Sequence, residues 1–358
     1  MGSNPYSSLK IFHHMKELEA IGRGEHIAPF YIRLKPTNIC NQHCAYCTYG
    51  SGDTEEKTEN RDDINHLDVI PWEKMQEIIQ DMGQMGVRAV TFSGGGEPLF
   101  YPHIAEAAQM ILDQGMDLSL ISNGSLLRGN TAKVFSHAKW VRISFDSPYE
   151  ETYCKLRGVN PAMFRRVIEN IRDFARMKDA DCVLGVNFVI SKTNATQVYD
   201  AAKLLKELGA DNVKFAAVIG VEGEDHIATK DDVIAQIHRA KTDFEDEGFR
   251  IINNYEQDWS KKNNEGQSFP VCYTCRLVTV IAADQRVYLC HTRAYDSNAV
   301  VGSLKEQSFR TMWFSKETAA RLVALRPQVD CRNSCVYQDR NEAIRSYFDV
   351  DMRHVNFI

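Results

Sequence analysis

Residues 87–122 read VRAVTF, SGGGEPLFYP, HIAEAAQMILDQGM and DLSLIS in succession. The order is a short apolar strand, a glycine-rich turn, a helix and a second strand. Two strands joined through a helix lie parallel, because an antiparallel pair needs only a tight turn. Working outward, the same unit repeats. Phe30 to Thr37 is an earlier apolar run. A polar stretch separates it from a helix opened by Pro71, with Trp72, Met75, Ile78, Ile79 and Met82 on one face. Past Asp117–Ser122, a further helix leads into Val141–Phe145. A long helix from Pro161 leads into Leu184–Ile190, and one from Thr196 into Val213–Val218. The sequence therefore predicts six strand–helix units in an α/β fold, with a parallel sheet covered by helices. Periodicity does not choose between an open doubly wound sheet and a full or partial barrel.

The pattern then changes. A helix over 231–247 is followed by the polar stretch 253–267, which reads as a boundary. Leu277–Ala282 and Arg286–Leu289, joined across Asp284-Gln285, read as a β-hairpin, and a helix follows near Lys316–Ala324. The expected organisation is an extension at 1–28, a barrel-like domain at 29–225, a linker helix and connection at 226–270, and a small C-terminal unit at 271–358. There is no internal repeat and no low-complexity tract.

The chain of 358 residues is 44% hydrophobic and 25% charged, ordinary values for a globular protein with a sizeable core. Its net charge of −6, without a block of Lys or Arg, argues against a nucleic-acid partner. No apolar stretch approaches the roughly 18 residues of a membrane span, and the first ten residues lack an apolar signal core. The expected location is the cytoplasm, without membrane attachment. In that reducing setting ten cysteines call for metal coordination rather than disulfides.

Cys40, Cys44 and Cys47 stand in CNQHCAYC, directly after the first strand. Three thiolates on one short loop suit one face of a cubane iron–sulfur cluster and leave a fourth iron open for a ligand. A structural zinc ion wants four ligands, and His43 lies awkwardly within the same loop. CNQHCAYC resembles the cluster-binding motif of the radical S-adenosylmethionine (radical SAM) superfamily, including the aromatic Tyr46 before the third cysteine. The resemblance implies a partial (β/α)6 TIM-like barrel over about residues 28–220. It also implies a [4Fe–4S] cluster with an open iron site, and S-adenosylmethionine as second cofactor.

Further motifs match at the strand ends. The stretch 93–98, SGGGEP, resembles the family's GGE motif; there, Gly95 and Gly96 would let backbone approach a ligand and Glu97 would face its ammonium group. No Gly-Lys-Ser/Thr follows, so it is not a phosphate loop. Ser122 and Asn123, then Ser144 and Asp146, correspond to positions that hold the ribose and nearby polar groups in similar enzymes, and Arg157 to an arginine that pairs with the methionine carboxylate. Ligands of parallel barrels bind at such strand ends. By implication S-adenosylmethionine is cleaved reductively, and a 5′-deoxyadenosyl radical takes a hydrogen atom from a small-molecule substrate. The electron comes from a donor such as flavodoxin or ferredoxin.

Cys272, Cys275, Cys290, Cys331 and Cys335 do not have zinc-ribbon spacing. They fit an auxiliary [4Fe–4S] cluster, and the region resembles SPASM and Twitch domains. Five cysteines for four positions favour the single-cluster Twitch form. Cys290 is the firmest ligand, then Cys275 and Cys335, with Cys272 and Cys331 competing for the last place. Gln285 replaces the hairpin glycine.

The stretch 52–68, with seven acidic residues, reads as a solvated loop beside the site. Cys182 reads as buried filler. Cys154 reads as inert, or, if it faces the pocket, as a hydrogen donor of the kind an epimerase needs. The leading expectation is a radical dehydrogenase or related modifier of a sugar, aminocyclitol or nucleoside-type metabolite. A peptide maturase and a radical epimerase are the alternatives.

Overall fold

A computed structural model describes residues 7–50, 64–218, 224–256, 267–331 and 335–357. Seven strands run parallel in chain order: β1 (Tyr31–Leu34), β2 (Ala89–Phe92), β3 (Asp117–Ser122), β4 (Trp140–Ser144), β5 (Val183–Ile190), β6 (Asn212–Ala217) and β7 (Arg250–Asn253). Three more, β8 (Val278–Ile281), β9 (Arg286–Tyr288) and β10 (Val300–Ser303), complete a ten-stranded sheet ordered β10-β9-β8-β1-β2-β3-β4-β5-β6-β7.

The helices are α1 (Met15–Gly22), α2 (Trp72–Met85), α3 (Ile104–Asp113), α4 (Gly129–Phe135), α5 (Glu150–Arg157), α6 (Pro161–Met177), α7 (Val198–Glu207), α8 (Glu224–Phe244), α9 (Phe309–Trp313), α10 (Lys316–Ala324), α11 (Pro327–Asp330) and α12 (Gln338–Phe348). The amphipathic face expected of α2 is the buried one: Met75, Ile78, Ile79 and Met82 meet the outer faces of the strands. Along β1, β4 and β6 the fully buried residues Ile32, Leu34, Val141, Ile143, Val213 and Phe215 point into that helix layer. The alternate residues therefore face inward.

The sheet is curled. Strands β1 and β6 are five spacings apart, about 24 Å in a flat sheet. Yet Arg33 on β1 and Arg142 on β4 both lie within electrostatic reach of Lys214 on β6. That closeness fits strands that wrap into a partial barrel around a polar lumen.

Two expectations are corrected. The stretch read as a linker supplies a seventh unit, since α8 leads into β7, which pairs with β6. Its strand, RIIN, is too short to stand out as a run. The C-terminal hairpin is not separate from the barrel: β8 pairs parallel with β1, and all four of its residues are buried. A turn at Gln285 joins it to β9 with φ at +62°, the conformation a glycine would otherwise supply.

The N-terminal extension straps this unit on. Ile11, Leu18 and Ile21 form a second core with Leu277, Val278 and Ile344. Trp313, fully buried, donates its Nε1–H to the Ile27 carbonyl at 2.8 Å. Trp313→Phe removes that donor and strands the carbonyl. The metal-free chain should lose about 1–3 kcal/mol, seen as a lower urea midpoint at unchanged slope.

Candidate functional site

The C-terminal ends of the parallel strands gather the motifs. Beyond β1, the loop carrying Cys40, Cys44 and Cys47 is stitched to the end of α5: His43 N–H donates to the Arg157 carbonyl at 2.9 Å, and Ala45 N–H to that of Leu156 at 3.0 Å. Gly158 makes this approach feasible. Its φ is +60°, and a Cβ there would lie 2.6 Å from the His43 carbonyl oxygen. Turns closed by Cys47 N–H to Cys44 O and Gly50 N–H to Cys47 O, both 3.1 Å, complete the loop. All three thiols are free; Cys40 and Cys47 are exposed and Cys44 is partly buried. Among the described residues no three His, Cys, Asp or Glu side chains converge as on a single metal ion. The donor set is three soft sulfurs on one loop, which suits an iron–sulfur cluster.

Behind the loop sits a buried charge network. Asp146 is fully buried after β4 and pairs with the guanidinium of Arg157, itself 5% exposed. The Tyr46 hydroxyl donates to the same carboxylate oxygen, and Val189 N–H donates to the other at 2.8 Å. Burial alone would lower the Arg157 pKa, but Asp146 and then Tyr46 hold it well above its ordinary value. Burial pushes the Tyr46 hydroxyl up, so it stays protonated as a donor. Arg157 also lies 3.5 Å from the Cys44 sulfur. Its Nε–H is buried with no partner. A charged donor left unpaired there is costly, and a ligand carboxylate of the kind S-adenosylmethionine carries would satisfy it.

The second motif departs from expectation. Glu97 is buried and spent internally: it accepts from Ser122 Oγ at 2.7 Å, Asn123 N at 2.7 Å and Leu99 N at 3.0 Å. Burial raises its pKa against those bonds. It pins the end of β3, with Oε2 accepting a single hydrogen bond. The glycines serve protein packing too. A Cβ on Gly96 would fall 2.2 Å from the Ile39 carbonyl, and one on Gly95 2.1 Å from Asn38 Oδ1. Asn123 reaches Asn41 of the cysteine loop at 2.8 Å and receives Ser125 N–H and Oγ–H at 2.9 and 2.7 Å. Ser144, last residue of β4, faces the lumen half-buried.

Several contributors escaped the motif reading. Buried Lys35 donates to the Gly94 carbonyl at 2.5 Å and to Tyr49 Oη at 3.1 Å, and lies 4.2 Å from the Tyr49 ring centroid. Tyr49 donates to His291 O at 3.3 Å, and Tyr295 Oη bonds Asn38. These contacts tie the cysteine loop, the glycine turn and the C-terminal unit together. Only Asn41, inside the cysteine motif, carried a positional signal in the sequence.

The C-terminal cysteines sort themselves. Cys272, Cys290, Cys331 and Cys335 lie within electrostatic reach of one another. Burial, then the neighbouring sulfur of Cys290, pushes the Cys331 thiol up to about 12; burial also takes Cys335 to about 12. Asn341 approaches the Cys272 sulfur at 3.6 Å. Cys275, 2% exposed in the apolar core, turns its thiol back to the Cys272 carbonyl at 3.1 Å. The Cys275 thiol also bonds the Cys272 sulfur, so these two lie side by side. Cys154 lines a cleft of about 630 Å3 with Asn41 and His43 of the cysteine loop, Lys155 and Asn160. It sits near Glu150 and Arg165, and burial raises its thiol pKa. Cys182 is buried, and most of the acidic stretch lies outside the described residues.

Two measurements check this geometry. Cys272→Ser should remove about four irons per chain after reconstitution, while Cys275→Ser should keep the wild-type content. Asp146→Asn leaves the Arg157 charge buried and unpaired, so stability should fall by about 3–5 kcal/mol in chemical denaturation.

Comparison with known proteins agrees with the geometry. Residues 34–186 match the model of the Radical SAM superfamily. The chain is 28% identical over 185 residues to the AdoMet-dependent heme synthase of Methanosarcina barkeri, covering 51% of this chain and 49% of that protein. It is 27% identical over 220 residues to the GTP 3′,8-cyclase of Alkaliphilus oremlandii, covering 59% and 63%. The matches thus span about half to under two thirds of these relatives. SuiB of Streptococcus suis, solved with precursor peptide SuiA, superposes with a TM-score of 0.62 at 16% identity, over 91% of this chain and 73% of that one. SuiB has also been solved with S-adenosylmethionine. Among the described residues no helix is long and apolar enough to cross a membrane. Residues 34–186 are thus a radical SAM domain, of the superfamily whose members use a [4Fe–4S] cluster and S-adenosylmethionine.

Proposed function

We propose that this enzyme oxidises a small polar metabolite, with Cys40, Cys44 and Cys47 holding the [4Fe–4S] cluster and Cys272, Cys290, Cys331 and Cys335 holding an auxiliary one. The observation that carries the reading is the unpartnered Nε–H of Arg157 beside the Cys44 sulfur. It is a carboxylate site adjoining a cluster site, at the mouth of a polar lumen. Bound there, the cluster and S-adenosylmethionine would supply the radical chemistry that removes a hydrogen atom from the substrate.

The residues of the chain position and shield. Arg157 orients the methionine carboxylate, Asp146 and Tyr46 hold Arg157, and Glu97 fixes the end of β3 against which the nucleoside would lie. Tyr31, Thr91 and Ser119 form a hydroxyl chain inside the barrel, with contacts of 2.8 and 2.6 Å, and suit a hydroxylated substrate. Loss of the hydrogen atom, one further electron and a proton amounts to a two-electron oxidation. Peptide modification is the second reading, favoured by the likeness to SuiB across the C-terminal unit as well as the barrel.

The test is anaerobic incubation of reconstituted protein with S-adenosylmethionine and dithionite. Wild type should form methionine and 5′-deoxyadenosine, and the Cys40/Cys44/Cys47 triple alanine variant should form neither. Equal yields from both would sink the assignment. With a turned-over substrate, one 5′-deoxyadenosine per oxidised product is expected. Solvent deuterium at carbon in an unoxidised product would move the reading to epimerisation.

A further inference from the structure

The inner face of the barrel carries charge of one sign. Strands β1–β7 hold four cationic residues, Arg33, Arg142, Lys214 and Arg250, against one carboxylate, Asp117. Asp117 is the exposed first residue of β3, 3.9 Å from Lys139, and Arg250 is exposed at the start of β7. The other three alternate with the helix-facing core residues of their strands and so point into the lumen.

They meet there. In the sheet register Lys214 stands beside Asn187, which stands beside Ser144, so Arg142 lies one inward step lower. The Arg142 guanidinium is 5.0 Å from the centroid of the lumen-facing Trp140 ring. Burial, then Arg142, then Arg33 push the Lys214 ammonium down to about 8. Arg142 and Lys214 have further contacts of their own. The Arg33 guanidinium bonds Tyr337 and lies near Tyr31 and Tyr49, but its buried Nε–H has no partner. Below, a cavity of about 120 Å3 is lined by Arg142, Trp140, Gly185 and Asn212 with Lys10 and Lys139, three cations and no acid. A barrel floor filled for stability alone would hold branched aliphatic side chains.

We propose that Arg33, Arg142 and Lys214 form an anion site in the lumen, which seats a carboxylate or phosphate group of the substrate. Arg142 lies two residues before the end of β4, about 7 Å below the Ser144 level. An anionic group held there leaves the rest of a small metabolite extending up toward the cysteine loop. Guanidinium groups bind such groups through paired hydrogen bonds, and ammonium acts as a point charge. The site selects acidic metabolites and disfavours aminocyclitols, whose ammonium groups it repels. The assignment of a substrate to this site rests on the radical-enzyme reading; the binding of anions does not.

Titration calorimetry on the full reconstituted chain, with pyrophosphate and with citrate at physiological salt, tests the proposal. Saturable one-to-one binding is expected, with Arg142→Gln and Lys214→Gln each weakening it about tenfold or more. The charge-keeping Arg142→Lys and Lys214→Arg should stay within a few-fold of wild type. Tighter pyrophosphate binding assigns a phosphorylated metabolite, and tighter citrate binding a polycarboxylic acid. No binding to wild type overturns the proposal, as do glutamine variants that bind normally or charge-keeping variants that fail alike. Formation of 5′-deoxyadenosine by the same wild-type preparation separates the two claims. Anion binding without it leaves the site standing and removes the radical reading; cleavage without anion binding does the reverse.

Discussion

The buried pair of Asp146 and Arg157 is the contact on which the site depends. It joins the end of β4 to the end of α5, and through the backbone of 156–157 it fixes the cysteine loop. Asn194 donates to the Asp146 carbonyl at 2.7 Å, so the start of the next unit is drawn into the same point. Such a pair gives little net stability over an apolar replacement, because desolvating two charges offsets their attraction. Its return is geometric: a guanidinium is held beside the Cys44 sulfur with one donor still unspent. A hydrophobic substitute would pack as well and leave nothing to receive a carboxylate.

The C-terminal unit gains its place from one strand pairing. With β8 hydrogen-bonded to β1, the sheet extends past the barrel on the side where the cysteine loop emerges. The hairpin then carries Cys290 and His291 to Tyr49, and Tyr295 to Asn38. Lys35, at the end of β1, sits at the junction and spends its hydrogens on the glycine turn and Tyr49. Burying an ammonium is tolerable only with such partners. The N-terminal strap contributes the remaining apolar surface, so the unit is anchored on both faces of β8.

Polarity inside the barrel separates the site from the scaffold. On β1, β4 and β6 the outward positions are aliphatic or aromatic and buried, while the inward ones include the hydroxyl, amide and cationic residues Ser144, Asn212, Arg33, Arg142 and Lys214 beside Trp140. Hydroxyls there satisfy one another, as in the chain from Tyr31 to Ser119. Cations repel one another there. Burial, then the two arginines, depress the basicity of Lys214, and an incoming anion relieves that repulsion.

The sequence by itself determined the parallel α/β class, the order of the first six strands and the cysteine loop. Each depends on local periodicity or on spacing within a few residues, which folding leaves intact. It also marked Glu97, Asp146 and Arg157, but not what they touch. Tertiary structure decided that Glu97 braces β3, that Cys272, Cys290, Cys331 and Cys335 come within reach of one another, and that Cys154 lines a cleft beside His43. It decided too that β8 joins β1 and that Arg33, Arg142 and Lys214 share one space. Those facts depend on how strands far apart in the chain curl and on which way a side chain turns within a short loop. Neither is encoded in any single window of residues.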